Sequence, residues 1–329
     1  MSETTPTGEW AQPYAERLHF VEELTGFDWE HPDPVGAAAM EAWNAPFGAP
    51  EPTSATTEDR ELPGPHGPIP VRIYRPAAGE PSGVGLVWYH GGAFIGGDLD
   101  MPEADLVARG LVTRTGGVVV SVFYRLCRDG VHHPVPHDDA YAAYRWTRDH
   151  AAELGIEAAR LAVGGASAGG CLASTVALHG RDDGVPPVRA LLAYPVAHGV
   201  IPEPSPALAA LLPGIPVVLR FPPEATTGLN GNYLGSDPAA ADGYAFAGHA
   251  TDLRDYPPTY IENCEFDDLR ASGESFARQL ADAGVEVTVT TAAGLPHGHL
   301  NAIGSPLTSA SLDRFAAQLL LPAADPAVR

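Results

Sequence analysis

Leu161-Ala162-Val163-Gly164-Gly165-Ala166-Ser167-Ala168-Gly169-Gly170 joins a short apolar run to a helix-like stretch, Ala168–His179. A strand that turns this tightly into a helix forces an unusual backbone at the bend. Gly165 and Gly169 flank Ser167 at two residues on either side and remove the side chains that would clash there. The serine hydroxyl is then held at the tip of a sheet with a helix N-terminus behind it. A Gly-x-Ser-x-Gly pattern arises readily by chance in a glycine-rich chain, so the strand–turn–helix setting gives it its weight.

Outward from this turn the chain alternates. Ile69–Tyr74, Gly85–Tyr89, Val118–Phe123, Arg160–Val163, Ala190–Tyr194, Thr259–Ile261 and Val285–Thr290 read as strands, several of them continuously apolar. Ala104–Thr115, Asp138–Leu154, Ala168–His179, Ala271–Ala283 and Leu307–Leu321 read as helices between and after them. Strands buried on both faces and interleaved with helices predict an α/β fold on a mostly parallel sheet, with ligands beyond the strand C-termini.

Two regions depart from the alternation. The first, Thr4 to Pro52, is rich in Pro, Ala and aromatics, including Trp10, Tyr14, Trp29 and Trp43. Short helices are predicted there over Pro13–Leu24 and Val35–Trp43. The second, Pro202–Gly248, carries Pro202, Pro204, Pro206, Pro213, Pro216, Pro222 and Pro223 where a crossover helix belongs. It is too long for a plain connection and reads as an insertion. The division expected is residues 1–60 and 201–250 as a cap, with residues 61–200 and 251–329 as the core.

Composition narrows the function. The chain has 329 residues, 45% hydrophobic and 18% charged, as a soluble globular protein does. Its apolar runs are too short to cross a bilayer, so no membrane partner is expected. Asp and Glu number 41 against 19 basic residues, all arginine, for a net charge of −22. An acidic body repels phosphate backbones, which argues against nucleic acid. Without lysine, neither a Walker-type phosphate loop nor a lysine Schiff base has its key residue. Cys127, Cys171 and Cys264 form no CxxC spacing, against a disulfide framework or a zinc site. The polar Met1–Gln12 lacks the apolar core of a secretory signal, so a cytoplasmic protein is expected.

A serine nucleophile needs oxyanion donors, a base and an orienting acid. His90-Gly91-Gly92-Ala93-Phe94 ends the strand upstream, where glycine amides can approach a carbonyl oxygen closely. Downstream, Glu262-Asn263-Cys264-Glu265-Phe266-Asp267-Asp268 and Leu295-Pro296-His297-Gly298-His299 follow strands in the order acid, then histidine. Asp267 or Asp268 is the acid, and His297 or His299 the base. His132-His133-Pro134-Val135-Pro136-His137-Asp138-Asp139 has metal-ligand residue types, but its spacing fits no standard site, and it is expected to lead into a helix.

Together with Tyr124-Arg125-Leu126, these motifs resemble the hormone-sensitive-lipase-like family of α/β-hydrolases, from about Pro68 to Leu321. The resemblance implies an eight-stranded, mostly parallel sheet with a helical cap built from the N-terminal stretch and the insertion. The family's Asp-Pro-Leu-Arg matches Asp267-Asp268-Leu269-Arg270, making Asp267 the triad acid. Its Pro-His-Gly run matches Pro296-His297-Gly298, making His297 the base of Ser167. By the same carry-over Gly91, Gly92 and Ala168 supply the oxyanion amides. Ala166 replaces a common aspartate, Ala93 a common third glycine, Cys127-Arg128-Asp129 the usual Ala-Pro-Glu, and His299 a usual aromatic. The implied activity is hydrolysis of small, short-acyl carboxylic esters, with no cofactor and no metal. Amide or formamide hydrolysis uses the same machinery, and some relatives are non-catalytic receptors. Relatives often dimerise through the last strand and helix, so a homodimer is compatible with the resemblance.

Overall fold

A computed structural model describes residues 7–28 and 31–322; Trp29 and the first residues of the polar N-terminus lie outside them. The N-terminal segment holds α1 (Gln12–Ala15), α2 (Leu18–Val21) and α3 (Pro34–Asn44). Then come β1 (Ala55–Leu62), β2 (Ile69–Pro76), β3 (Gly83–Tyr89), α4 (Pro102–Thr115), β4 (Val118–Val122), α5 (Val135–Asp149) and α6 (Ala151–Leu154). The serine turn lies between β5 (Ile156–Ala166) and α7 (Ala168–Asp182). After β6 (Ala190–Ala193), the proline-rich stretch carries α8 (Pro206–Leu211) and α9 (Pro223–Leu234). The chain closes with β7 (Thr259–Phe266), α10 (Arg270–Asp282), β8 (Val287–Pro296) and α11 (Pro306–Leu320).

The eight strands form one sheet in the order β1-β2-β4-β3-β5-β6-β7-β8. β1 and β2 are antiparallel to their neighbours, and every pairing from β4 to β8 is parallel. Because successive side chains leave opposite faces, Val87 and Tyr89 of β3 pack with Val163, Leu172, Val176 and Phe276 on one side. Leu86 and Trp88 pack with Val107, Leu111, Leu312 and Phe315 on the other. Two helical layers thus bury both faces of the sheet.

The predicted strands and core helices are all found, with two adjustments. α5 and α6 split the single helix expected over Asp138–Leu154, at His150. β1, whose residues Thr56–Glu61 are mostly exposed and polar, was not predicted. It starts at Ala55, so the sheet begins inside the stretch assigned to residues 1–60.

The N-terminal segment and the insertion meet. Tyr14, Val21, Met40 and Trp43 form one apolar cluster with Val218 of the insertion and with Ala292 and Leu295 of β8. Trp10 stacks on Phe266 at 4.3 Å, and the buried Glu265 carboxylate accepts from the amides of Gly8 and Gly294. Arg17 binds the carbonyls of Trp43, Ala45 and Pro46 and lies over the Phe47 ring. Among the described residues, no helix is long and apolar enough to cross a membrane.

Candidate active site

Ser167 sits at φ 55°, ψ −118°, a conformation open at low cost only to glycine. Two tight backbone crossings hold it there. A Cβ on Gly165 would collide with the Gly169 carbonyl, and one on Gly169 with the carbonyls of Tyr89 and His90. The Ser167 amide donates to Ala193 O of the neighbouring strand (2.9 Å), and its carbonyl accepts the first bond of α7, from Cys171 N (3.0 Å). The hydroxyl is left free to face the loops beyond the sheet.

There it meets His297. The imidazole Nε2 lies 2.9 Å from Ser167 Oγ, and Nδ1 lies 2.8 Å from Asp267 Oδ2. Asp267, almost fully buried, also accepts from Leu269 N (2.9 Å). A carboxylate on the Nδ1 side fixes the proton there, so Nε2 is the acceptor for the serine hydroxyl. Burial works to lower the His297 pKa, but the attraction and hydrogen bond of Asp267, together with Glu103 and Asp268, outweigh it and hold it above the usual 6.5.

The remaining candidates separate cleanly. β7 runs on to Phe266, so Glu262 and Glu265 are buried strand residues with partners of their own. Glu262 pairs with Arg314, and Glu265 holds the two amides already described. Asp268 binds Arg220. His299 bonds to Ser311 Oγ (2.8 Å) and lies 3.2 Å from Cys264 Sγ, in the interior. Of the two histidines, His297 alone reaches the serine.

The glycine loop corrects one expectation. Gly91 N donates to Glu103 Oε1 at 2.6 Å, so this amide is already engaged and does not face a substrate. The next two residues take left-handed backbone, Gly92 at φ 111° and Ala93 at φ 53°. Among the described residues, neither of their amides, nor that of Ala168, donates a hydrogen bond. The free donors beside Ser167 are therefore Gly92, Ala93 and Ala168. Of the expected set, Gly91 is engaged by Glu103, while Gly92 and Ala168 keep open amides and Ala93 joins them.

Glu103 itself was not foreseen. Apart from following Pro102 at the start of a helix, it bears no mark in the sequence. It is 1% exposed, and its second oxygen accepts from Tyr194 Oη (2.5 Å) and Asn301 Nδ2 (3.3 Å). Burial pushes its pKa up, against the bonds from Tyr194 and Gly91. Tyr194 lies edge-on to His297 at 4.8 Å, so this carboxylate supports both the Gly91–Ala93 turn and the wall behind His297.

A cavity of about 20 Å³ adjoins Ser167, lined by Ala93, Phe94, Val196, Leu269 and, from the insertion, Phe221 and Leu229. Phe221 also packs edge-on against His297 at 4.7 Å. A larger apolar cleft, about 260 Å³, lies between α4 and α11 and includes none of these reactive groups. The histidine-rich stretch leads into α5: His137 bonds to Thr175 and His179, and Asp139 to Arg125. Among the described residues, no group of three or more His, Cys, Asp or Glu is placed to hold a metal ion.

A family model for the alpha/beta hydrolase fold matches residues 86–301. Esterase LipI of Mycobacterium tuberculosis is 36% identical over 255 residues, 75% of each chain. Carboxylesterase NlhH of the same organism is 37% identical over 238 residues, 71% of this chain and 72% of its own. Among solved structures, a hyperthermophilic esterase from Pyrobaculum calidifontis is 32% identical with a TM-score of 0.73, covering 82% of this chain and 84% of the other. A thermostable esterase from Pseudomonas putida superimposes with a TM-score of 0.80 at 27% identity, over 96% of this chain and 98% of the other.

Proposed function

Because the chain belongs to the hormone-sensitive-lipase-like α/β-hydrolases, we propose that it is a serine carboxylesterase acting on small, short-acyl esters. The observation that carries this reading is the relay from Asp267 through His297 to Ser167, at 2.8 and 2.9 Å. His297 Nε2 takes the hydroxyl proton as Ser167 Oγ attacks the acyl carbon, and Asp267 stabilises the imidazolium that forms. The amides of Gly92, Ala93 and Ala168 receive the oxyanion; losing one such donor typically costs about 3 kcal/mol of barrier lowering. His297 then protonates the leaving alcohol. Water, deprotonated by the same nitrogen, attacks the acyl-enzyme, and the acid leaves with Ser167 restored.

The N-terminal segment and the insertion serve as the cap over this centre: Phe221 and Leu229 of the insertion close the cavity beside Ser167, and Tyr14, Trp43 and Phe47 line a cavity at His297. About 20 Å³ of open space holds roughly a water-sized group, which favours an acetyl-like acyl chain over a long one. The net charge of −22 disfavours anionic esters.

p-Nitrophenyl esters of graded acyl length, assayed beside matching anilides, test this reading. Ester turnover peaking at the shortest acyl groups is expected, and Ser167→Ala should abolish it. Undiminished turnover by Ser167→Ala, or anilides cleaved in preference to esters, would overturn it.

A further inference from the structure

Asp268 follows the proposed triad acid directly, where the family run has proline, and its side-chain hydrogen bonds go to the insertion. Its side chain is 8% exposed and takes four hydrogen bonds from the insertion. Arg220 Nε reaches Oδ1 at 3.0 Å and Oδ2 at 2.8 Å, Nη2 reaches Oδ1 at 2.7 Å, and Phe221 N donates to Oδ2 at 2.9 Å. The remaining guanidinium nitrogen, Nη1, donates to Leu212 O at 2.8 Å. A planar fork matched to both oxygens fixes direction as well as distance. The residue whose backbone completes this clasp is Phe221, whose ring packs on His297 and lines the cavity beside Ser167.

We propose that the Asp268–Arg220 pair is a specificity device: by clasping the insertion to the end of β7, it holds Phe221 across the cavity and sets the upper limit on acyl length. Asp268 is thus a positioning residue. The clasp anchors to the residue beside Asp267, so the wall of the pocket and the orienting acid are registered to one short turn. Thr226, Leu229 and Asn230 of α9, just beyond Phe221, line the same cavity, so release of the clasp frees a contiguous part of its wall. This inference rests on the esterase reading above.

The test is an acyl-length series, acetyl to octanoyl, on wild type, Asp268→Asn, Arg220→Gln, Phe221→Ala and the double variant Asp268→Asn with Phe221→Ala. Each single variant should raise kcat/KM for the longer esters relative to acetate by about tenfold, the scale of a few contacts in an apolar pocket. That gain should fall mostly in KM. In the double variant the gain should equal that of Phe221→Ala alone, because one change acts through the other. If Asp268→Asn does not fold, Arg220→Gln carries the test from its more exposed side. A length profile unchanged in folded Asp268→Asn and Arg220→Gln would overturn the proposal, as would gains that add in the double variant. Wild type inert toward every ester would instead defeat the underlying reading, and this inference with it.

Discussion

His297 titrates inside a field of carboxylates, and that sets where the enzyme stops working. In its proposed role as base, His297 acts only when neutral. With its pKa held above 6.5 by Asp267, Glu103 and Asp268 against the opposing effect of burial, activity is lost as pH falls through that raised value. The acid limb of kcat/KM should therefore lie above 6.5, and Asp267→Asn should shift it downward while cutting kcat by about a thousandfold or more. A limb at or below the ordinary imidazole value in wild type would contradict this. Glu103 gives a second expectation at this scale. Glu103→Ala strips the Gly91 amide and Tyr194 hydroxyl of their acceptor and loosens the turn carrying Gly92 and Ala93. We expect kcat to fall about tenfold or more with KM nearly unchanged, whereas Glu103→Gln, which keeps an acceptor, should retain most activity.

Elements, more than residues, decided what could be read in advance. β3, β4, β6 and β7 are buried on both faces, so their apolar runs announced them. β1 is an edge strand with a wet outer face, and its Thr56-Thr57-Glu58-Asp59-Arg60-Glu61 carries no apolar alternation to detect. The serine turn was legible because its glycines are a steric necessity; which amides of the Gly91–Ala93 turn stay open was not, because one of them is taken by a carboxylate from α4. The acidic run around Asp267 looks uniform to residue chemistry alone; the family resemblance points to Asp267, and the length of β7, to Phe266, separates it from the strand residues Glu262 and Glu265. At the serine turn, Gly169→Ala drives a methyl into two carbonyls of β3 and the loop after it. It should prevent folding or lower stability by about 4 kcal/mol or more, measured by chemical denaturation. Gly184→Ala, with nothing near its side-chain position but a left-handed φ of 72°, should cost only about 1 kcal/mol.

Across the whole molecule, the start of the N-terminal segment is tied to the core by polar bonds as well as by its apolar cluster. Glu265 is fully buried and ties both Gly8 and Gly294, and Ala11 N adds one bond to Gly294 O. Glu265→Ala leaves two amides without their acceptor, which should cost about 1–3 kcal/mol and expose residues near Gly8 to limited proteolysis before the core unfolds. A net charge of −22 also strains the compact state by self-repulsion. Raising salt from about 0.05 to about 1 M screens that repulsion, so Tm should rise by a few degrees; a falling Tm would show that ion pairs such as Arg72–Asp59 matter more.

The backbone at Ser167 has one further consequence. A side chain held in a glycine-only conformation makes the working molecule less stable than an inert copy could be. Relief of that torsion by Ser167→Gly is worth about 1–3 kcal/mol, offset in part by roughly 1 kcal/mol of added freedom in the unfolded chain. Ser167→Gly should then outlast its parent on heating, and selection for robustness alone would act against the serine at this turn.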